Sequence, residues 1–499
     1  MTQTRNYLAI DLGAESGRTI VGSLDGKQLT LTETHRFANG PVRLNDGLYW
    51  DVLRLWSDIK DGIGKSKPID SIGLDTWAID FALLDKNNSL LSNPFHYRDA
   101  RTDGMLDEAF KRMSRADIFA NTGIQFMQIN TLYQLLAMVM QKSPLFDIAK
   151  TFVTIPDLFN YWLTGELTNE FTNTTTTQCF DPRKRDWATP VLDAMEIPTH
   201  LFKPVTDSGT QIGTLLPSLA EETGAGVVPI ILPACHDTGS AVVAVPAKNA
   251  DFAWLSSGTW SIMGAEVREP CLNEKALEYN FTNEGGVSRT LQGVATWRLS
   301  KNIMGLWLVQ ECRREWMRGG EEMSFEELTQ LAAESEAFLS VIDPDFDEFL
   351  HLGDMPSRIQ KFCANTNQHV PQTKGQIIRL ALESVALKYR LVLERLEELT
   401  GKYLDPIHII GGGAQNLLLN QFTANSTGRT VVTGPVEATA IGNILMQAIG
   451  MKHLSSLEDA REVVRISFEP EIYEPKRTAD WDEAYSRLQR VMSNTSERQ

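Results

Sequence analysis

Residues Tyr7 to Ser23 read YLAIDLGAESGRTIVGS. Tyr7 to Ile10 form an apolar, strand-like run, and Thr19 to Ser23 form another. Between them Asp11-Leu-Gly-Ala-Glu-Ser-Gly-Arg18 is dense in glycine and small residues, the composition of a turn joining two strands. The stretch therefore predicts a β-hairpin. Gly13 and Gly17 allow unusual backbone angles and close approach of a ligand. Ser16 offers a hydroxyl, Arg18 a fixed positive charge and Asp11 a carboxylate at a strand end. Such a set suits phosphates and a hydrated Mg2+; an ordinary hairpin turn is the other reading. The spacing is neither G-x-G-x-x-G nor Walker A, which removes the dinucleotide-fold and P-loop readings.

A similar unit stands halfway along the chain. Phe252-Ala-Trp-Leu255 is apolar, Ser256-Ser-Gly-Thr259 is a small, hydroxyl-rich turn, and Trp260-Ser-Ile-Met263 is apolar again. Two strand–turn–strand units, one opening each half, predict a duplicated architecture. Val227 to Pro233 reads as a buried strand, and Pro246 to Asp251 as a boundary between two domains, 1–246 and 247–499. The 499 residues are long enough for two domains of ~100–200 residues or for three. Ile377, Ile378, Ala381, Val385, Tyr389, Val392, Leu396 and Leu399 recur at helical spacing and predict a helix over 376–399, with Gly401 just beyond its end. The strand Pro406–Ile410 then runs into Gly411-Gly-Gly-Ala-Gln-Asn416, a strand–glycine–helix context that favours nucleotide approach. The last ~25 residues read as a terminal helix and a frayed tail.

Composition narrows the function classes. Hydrophobic residues make up 42% and charged residues 22%, an ordinary balance for a soluble globular protein. Forty-seven basic residues face 64 acidic ones, a net charge of −17 without a basic stripe, which argues against a nucleic-acid partner. The five cysteines are scattered and odd in number, which fits a reducing compartment rather than a disulfide framework or a zinc site. An N-terminus without a basic n-region and the lack of any run near ~18 apolar residues point away from export and the membrane, hence to the cytoplasm. The eight histidines are well separated, and no H-E-x-x-H or G-x-S-x-G spacing occurs.

Three further segments concentrate chemistry. Asp237, within His236-Asp-Thr238, follows an apolar strand and precedes a small-residue run; it is placed either as a base facing a cleft or as a helix cap. Ser256 to Thr259 suits phosphate oxygens or is a plain turn. In Asp75-Thr-Trp-Ala-Ile-Asp80 and Tyr97-Arg-Asp-Ala-Arg101, Trp77 is placed to lie against the apolar face of a sugar and Asp80, Arg98 and Asp99 to hydrogen-bond its hydroxyls; alternatively Arg98, Asp99 and Arg101 form a structural ion network.

Taken in order, Asp11-Leu-Gly-Ala-x-Ser-Gly-Arg18, Asp75-Thr-Trp-x-x-Asp80, Tyr97-Arg-Asp-x-Arg101, His236-Asp-Thr238, Ser256-Ser-Gly-Thr259-Trp, Lys301-Asn-Ile-Met-Gly-Leu-Trp307 and Gly411-Gly-Gly-x-Gln415 resemble the FGGY carbohydrate kinases over nearly the whole chain. Thr282-Asn-Glu-Gly-Gly286, Lys301 to Gly305 and Gly434-Pro-Val-Glu-Ala438 resemble the members acting on L-rhamnulose. The resemblance implies an α/β fold of two RNase H-like domains, as in the actin/Hsp70/sugar-kinase superfamily, with sugar bound by the N-terminal domain, ATP mainly by the C-terminal one, and an interdomain cleft. It implies Asp237 as catalytic base and Asp11 as the carboxylate placing Mg2+, largely through water. It implies that Ala14, Glu15, Ser16, Gly17, Arg18 and Thr259 face the phosphates, that Gln310 and Gly412 contact the nucleotide, and that Ala78, His236, Thr238 and Asn302 line the sugar site with Asp237. The reaction implied is transfer of the ATP γ-phosphoryl group to the C1 hydroxyl of L-rhamnulose, giving L-rhamnulose 1-phosphate and ADP in rhamnose catabolism, by a monomer or small homo-oligomer. Three positions depart from the family pattern. Glu15 stands where Ser is usual and is expected to point outward, Ala78 replaces a Gly, and Cys235 replaces a Ser. Kinases of other ketoses such as L-fuculose or xylulose, an actin/Hsp70-like ATPase and a sugar sensor are the competing readings.

Overall fold

The computed structural model of the protein describes residues 4–45, 47–287, 296–476 and 478–496. The chain forms two compact units. One comprises Met1–Pro246, Glu266–Leu299 and Glu437–Glu469; the other comprises Ala247–Ala265, Ser300–Val436 and Pro470–Gln499.

The first unit is built on a six-stranded sheet in the order Gln211–Thr214, Pro229–Ile231, Ser71–Thr76, Arg5–Leu12, Ser16–Leu24, Leu29–Ala38. The opening strand pairs antiparallel with Ser16–Leu24 and parallel with Ser71–Thr76, which in turn pairs parallel with Pro229–Ile231. Six consecutive residues of the opening strand, Tyr7 to Leu12, are buried, as expected of a strand covered on both faces. A Cβ at Gly22 would strike Ile444, and one at Gly62 would strike Thr19. Thr19 and Gly22 point to opposite faces of one strand, so the helices Val52–Lys65 and Ala438–Gly450 cover opposite sides of the sheet. Leu8, Ile10, Leu12, Ile72 and Leu74 meet Leu55, Ile59 and Ile63 in the main core.

The hairpin is tighter than its sequence suggests. Asp11 and Arg18 are register partners within the strands, so the turn shrinks from eight residues to Gly13–Glu15. Asn39 braces it, donating from Nδ2 to Gly13 O at 2.8 Å and from its amide to Glu15 O at 3.0 Å.

The second unit repeats the pattern. Ala253–Ser257 pairs antiparallel with Trp260–Val267 and parallel with Ile407–Ile410, which pairs parallel with Val431–Thr433. Here the turn is only Gly258–Thr259. The long helix Lys374–Thr400 opens with a capping box between Thr373 and Gln376 and ends at Gly401, whose φ of 68° is the left-handed stop. The helix Thr478–Ser496 follows near the end; the tail beyond it, 497–499, lies outside the described residues. All five cysteines are free. Among the described residues no helix is long and apolar enough to cross a membrane.

Candidate active site

Three parallel strands of the first unit end together. Trp77 donates its amide to Leu12 O at 3.0 Å, and Thr76 donates to Cys235 O at 2.9 Å. This gathers the hairpin turn, Ala78 and His236–Thr238 at the carboxyl ends of parallel strands, where open α/β sheets bind ligands.

Asp237 is the first residue of the short helix Asp237–Val243. His236 takes the cap position and its side chain makes no capping bond. Asp237 Oδ1 accepts from the Thr238 amide at 2.5 Å and from the Thr238 hydroxyl at 3.2 Å. The Asp237 side chain is 31% exposed, against 9% for Asp11. Asp75, Asp80, Asp157 and Glu170 are buried to 1% or less. Asp237 is thus the accessible carboxylate of the group. The surrounding protein still displaces enough water to push its carboxyl above the ordinary value; His236 and the Thr238 donors pull the other way, and Asp11 adds to the rise.

His236 Nε2 lies 3.4 Å from Asp237 Oδ1, and its Nδ1 lies 3.1 Å from Glu284 Oε2. Arg298 completes the group, with Nη2 3.0 Å from that same oxygen. Against its burial, Arg298 and His236 hold the Glu284 carboxyl below its ordinary value. Behind them Glu170 accepts from the Ser208 hydroxyl at 2.6 Å, the Thr172 hydroxyl at 2.7 Å, the Asn173 amide at 3.0 Å and the Cys235 amide at 3.2 Å.

Beside the turn, Arg18 donates to Asp11 Oδ2 from Nε at 2.9 Å and Nη2 at 2.8 Å, and pairs with Glu437 through Nη1. Asp75 is the register partner of Asp11 on the next strand. Its Oδ2 accepts from Asn443 Nδ2 at 2.6 Å, while its Oδ1 is buried without a hydrogen-bond partner. Burial, then the neighbouring Asp11, push Asp75 well above the usual carboxylate range. The hard oxygen donors of these two adjacent carboxylates, one oxygen without a partner, suit Mg2+. Glu15 is exposed; Ala14 and Ser16 are half-buried and Gly17 is buried, where a Cβ would strike Phe37 at 2.3 Å.

Ala78 is half-buried, and its carbonyl accepts from the Asp80 amide at 2.9 Å. Next to it Ile79 has φ 67°, a strained conformation for a β-branched residue. Thr131 Oγ1, donating to its carbonyl at 2.5 Å, helps to hold it there. Asp80, by contrast, is consumed by the framework. It accepts from Trp50 Nε1 at 2.5 Å, Trp77 Nε1 at 3.1 Å and Gln134 Nε2 at 2.8 Å, and burial pushes it up to about 6. Trp77 stacks on Trp50, and Asp99 holds the amides of Leu48 and Arg101. Asp80 and Asp99 are thus taken up by framework hydrogen bonds, those of Asp99 to backbone amides.

In the second unit Thr259 O accepts from the amides of Gly305 at 3.2 Å and Trp307 at 3.1 Å, tying the turn to the start of the helix Trp307–Arg318. Gln310 lies on that helix with its Oε1 buried and unpartnered. Gly413 packs against the same turn, since a Cβ there would be 2.1 Å from Ser257 Oγ. A Cβ at Gly412 would meet nothing within 4 Å, and its φ is not in the left-handed region. Neither packing nor conformation demands a glycine there. Asn302 precedes Met304, whose amide donates to Asp345 Oδ1 at 2.7 Å. Lys388 Nζ bridges Asp343 at 2.7 Å and Asp345 at 2.9 Å, fixing that strand end.

Glu284, Arg298, Glu170 and Asn443 escape sequence reasoning. Thr282–Gly286 stands out only as a segment, and nothing in the sequence marks an arginine fourteen residues after Glu284 as buried.

Residues 6–244 match the N-terminal domain, and residues 253–451 the C-terminal domain, of the FGGY family of carbohydrate kinases. The chain is 41% identical over 485 residues to the rhamnulokinase of Bacteroides thetaiotaomicron, covering 96% of this chain and 98% of that one. It is 37% identical to the rhamnulokinase of Bacillus subtilis, with 94% and 95% covered. The fold matches the xylulose kinase of Lactobacillus acidophilus with a TM-score of 0.81 at 16% identity, covering 99% of this chain and 98% of that one. It matches the glycerol kinase of Plasmodium falciparum with a TM-score of 0.79 at 14% identity, covering 99% and 98%. This chain belongs to the FGGY family of carbohydrate kinases and is a sugar kinase with that family's two-domain fold.

Proposed function

We propose that the enzyme phosphorylates L-rhamnulose at its C1 hydroxyl, with ATP as donor and Asp237 as general base. The substrate rests on similarity to rhamnulokinases along almost the entire chain. The observation that carries the mechanism is the contrast in exposure: the Asp237 side chain, held by Thr238 and flanked by His236, is 31% exposed, whereas that of Asp11 is 9% exposed and Asp75, Asp80, Asp157 and Glu170 are buried to 1% or less.

In this reading Asp237 accepts the C1 hydroxyl proton as that oxygen attacks the γ-phosphorus, and ADP leaves with the bridging oxygen. Thr238 keeps Asp237 Oδ1 oriented, which supports a proton transfer that depends on position. His236, Ala78, Thr238 and Asn302 are the proposed sugar contacts. Ala14 to Arg18 and Thr259 are the proposed phosphate contacts, and Gln310 and Gly412 the proposed nucleotide contacts. The unpartnered Gln310 Oε1 and the open space at Gly412 support the last pair. Mg2+, when bound, supplies charge neutralisation at the transferring phosphates; Asp11, backed by Asp75, is the residue to hold it, largely through water. Arg18 orients Asp11. A cytoplasmic setting fits free thiols and this chemistry.

Phosphorus NMR of the product tests the assignment. The expected spectrum shows the phosphate ester coupled to the two C1 protons of L-rhamnulose. An ester at another carbon, or hydrolysis to inorganic phosphate only, contradicts it.

A further inference from the structure

Residues Glu170 to Thr177 read Glu-Phe-Thr-Asn-Thr-Thr-Thr-Thr, and each is buried to 3% or less. They form the short helix Phe171–Thr174 and the tight turn Thr175–Thr177. Burying a run of hydroxyls is costly unless they find partners. Three of them find the same kind of partner.

The Thr172 hydroxyl donates to Glu170 Oε2 at 2.7 Å and accepts from the His236 amide at 3.1 Å. The Thr175 hydroxyl donates to Thr172 O at 3.0 Å and accepts from the Gly285 amide at 2.8 Å. The Thr176 hydroxyl donates to Asn173 O at 2.8 Å and accepts from the Ile79 amide at 3.3 Å. An amide N–H only donates and a carbonyl only accepts, so these directions are fixed. Each hydroxyl turns its proton inward and offers a lone pair to a backbone amide 64 to 110 residues away. Thr174 and Thr177 do not reach out. The Thr174 hydroxyl has no hydrogen-bond partner among the described residues, and that of Thr177 accepts from the Cys179 amide of its own segment.

The three amides lie where the proposed chemistry is. His236 precedes Asp237, Ile79 follows Ala78, and Gly285 follows Glu284, whose Oε2 is 3.1 Å from His236 Nδ1. The turn that holds them is itself anchored. The Glu170 amide donates to both carboxylate oxygens of Asp157 at 3.1 Å, and Glu170 Oε2 accepts from the amides of Asn173 and Cys235. Phe171 occupies the space that a Cβ at Gly285 would need. Ile79 is clamped from both sides, its amide by Thr176 and its carbonyl by Thr131, at a φ of 67° that a β-branched residue otherwise avoids.

We propose that Thr172, Thr175 and Thr176 are positioning residues for the sugar site: one buried turn holds the amides of His236, Gly285 and Ile79 and so fixes their three segments against one another. The consequence for catalysis rests on the proposed function, which takes Ala78 and His236 as sugar contacts and Asp237 as the base.

The test replaces each threonine in the full-length protein by valine, which keeps its shape and removes its hydroxyl, and by serine, which keeps the hydroxyl. Amide hydrogen exchange is read residue by residue on ligand-free protein, below every variant's unfolding midpoint. In the parent the amides of Ile79, His236 and Gly285 are expected to be protected. In Thr172→Val, Thr175→Val and Thr176→Val the facing amide exchanges faster, on the order of tenfold or more. In each, kcat/KM for the sugar falls on the order of tenfold or more while KM for ATP keeps the parent's value. The serine variants and Thr174→Val behave like the parent. Unchanged exchange at the facing amides, an unchanged sugar kcat/KM in the valine variants, or an equal loss in Thr174→Val overturns the proposal. Where a valine variant does not fold, free exchange of the three amides in the parent overturns it and their protection supports it. The exchange is read without sugar or nucleotide, and the rates with whichever ketose the parent prefers. A preference for a ketose other than L-rhamnulose therefore strikes the proposed function alone.

Discussion

Gly442 is in backbone contact with Ser240: a Cβ at Gly442 would lie 1.8 Å from the Ser240 carbonyl oxygen. Ser240 belongs to the helix that opens with Asp237, and Gly442 to the helix Ala438–Gly450. A segment from late in the chain thus sets how the proposed base is seated.

Gly442→Ala is expected to force the two helices apart. Overpacking of this kind costs about 1–3 kcal/mol. Denaturant melts should show that loss, and kcat should fall with it because the Asp237 helix moves. Unchanged stability and rate would contradict the contact.

The pH dependence follows from Asp237. Burial raises its carboxyl, and a base must be ionised to accept a proton. Activity is therefore lost as pH falls through a value above the ordinary ~3.9 of an aspartate. The acid limb of kcat/KM should sit above that value. His236 lowers the Asp237 pKa, so His236→Asn should move the limb to higher pH. A limb that stays put in the variant would remove this coupling.

Gly412 and Gly413 make opposite predictions. Gly413→Ala drives a methyl into Ser257, and should destabilise by about 1–3 kcal/mol. Gly412→Ala meets open space and should melt like the parent while raising KM for ATP. Thermal melts and nucleotide titrations separate the two. A normal KM in Gly412→Ala would argue against a nucleotide at that glycine.

Glu170 gathers four donors, and Glu170→Gln turns one of its acceptors into a donor. At least one buried partner then goes unsatisfied, at about 1–3 kcal/mol. Urea unfolding of the variant measures it.

Local patterns carried the fold and distant pairings did not. The two strand–turn–strand units and the helix read over 376–399 are visible in spacing alone; the helix runs Lys374–Thr400, ending beside Gly401 as its left-handed stop. The turn read as Asp11–Arg18 is shorter because a cross-strand ion pair between those two residues extends the strands. Asp80 reads as a sugar contact and Asp99 either way, because what consumes them, Trp50, Gln134 and the Leu48 amide, is remote in sequence. Asn443 reaches Asp75 across 368 residues, a pairing that no periodicity announces. Nothing in the sequence marks Arg298 as buried, and Glu284, Gly285 and His236 converge on it from elsewhere in the chain.

The most direct test of the account is a coupled ADP-release assay with ATP and Mg2+, offering L-rhamnulose, L-fuculose, L-ribulose, D-xylulose and glycerol to the parent and to Asp237→Asn. The account predicts strong preference for L-rhamnulose and its loss in the variant, on the order of 10²-fold or more for removal of a general base. Preference for another sugar, or a variant as active as the parent, would contradict it.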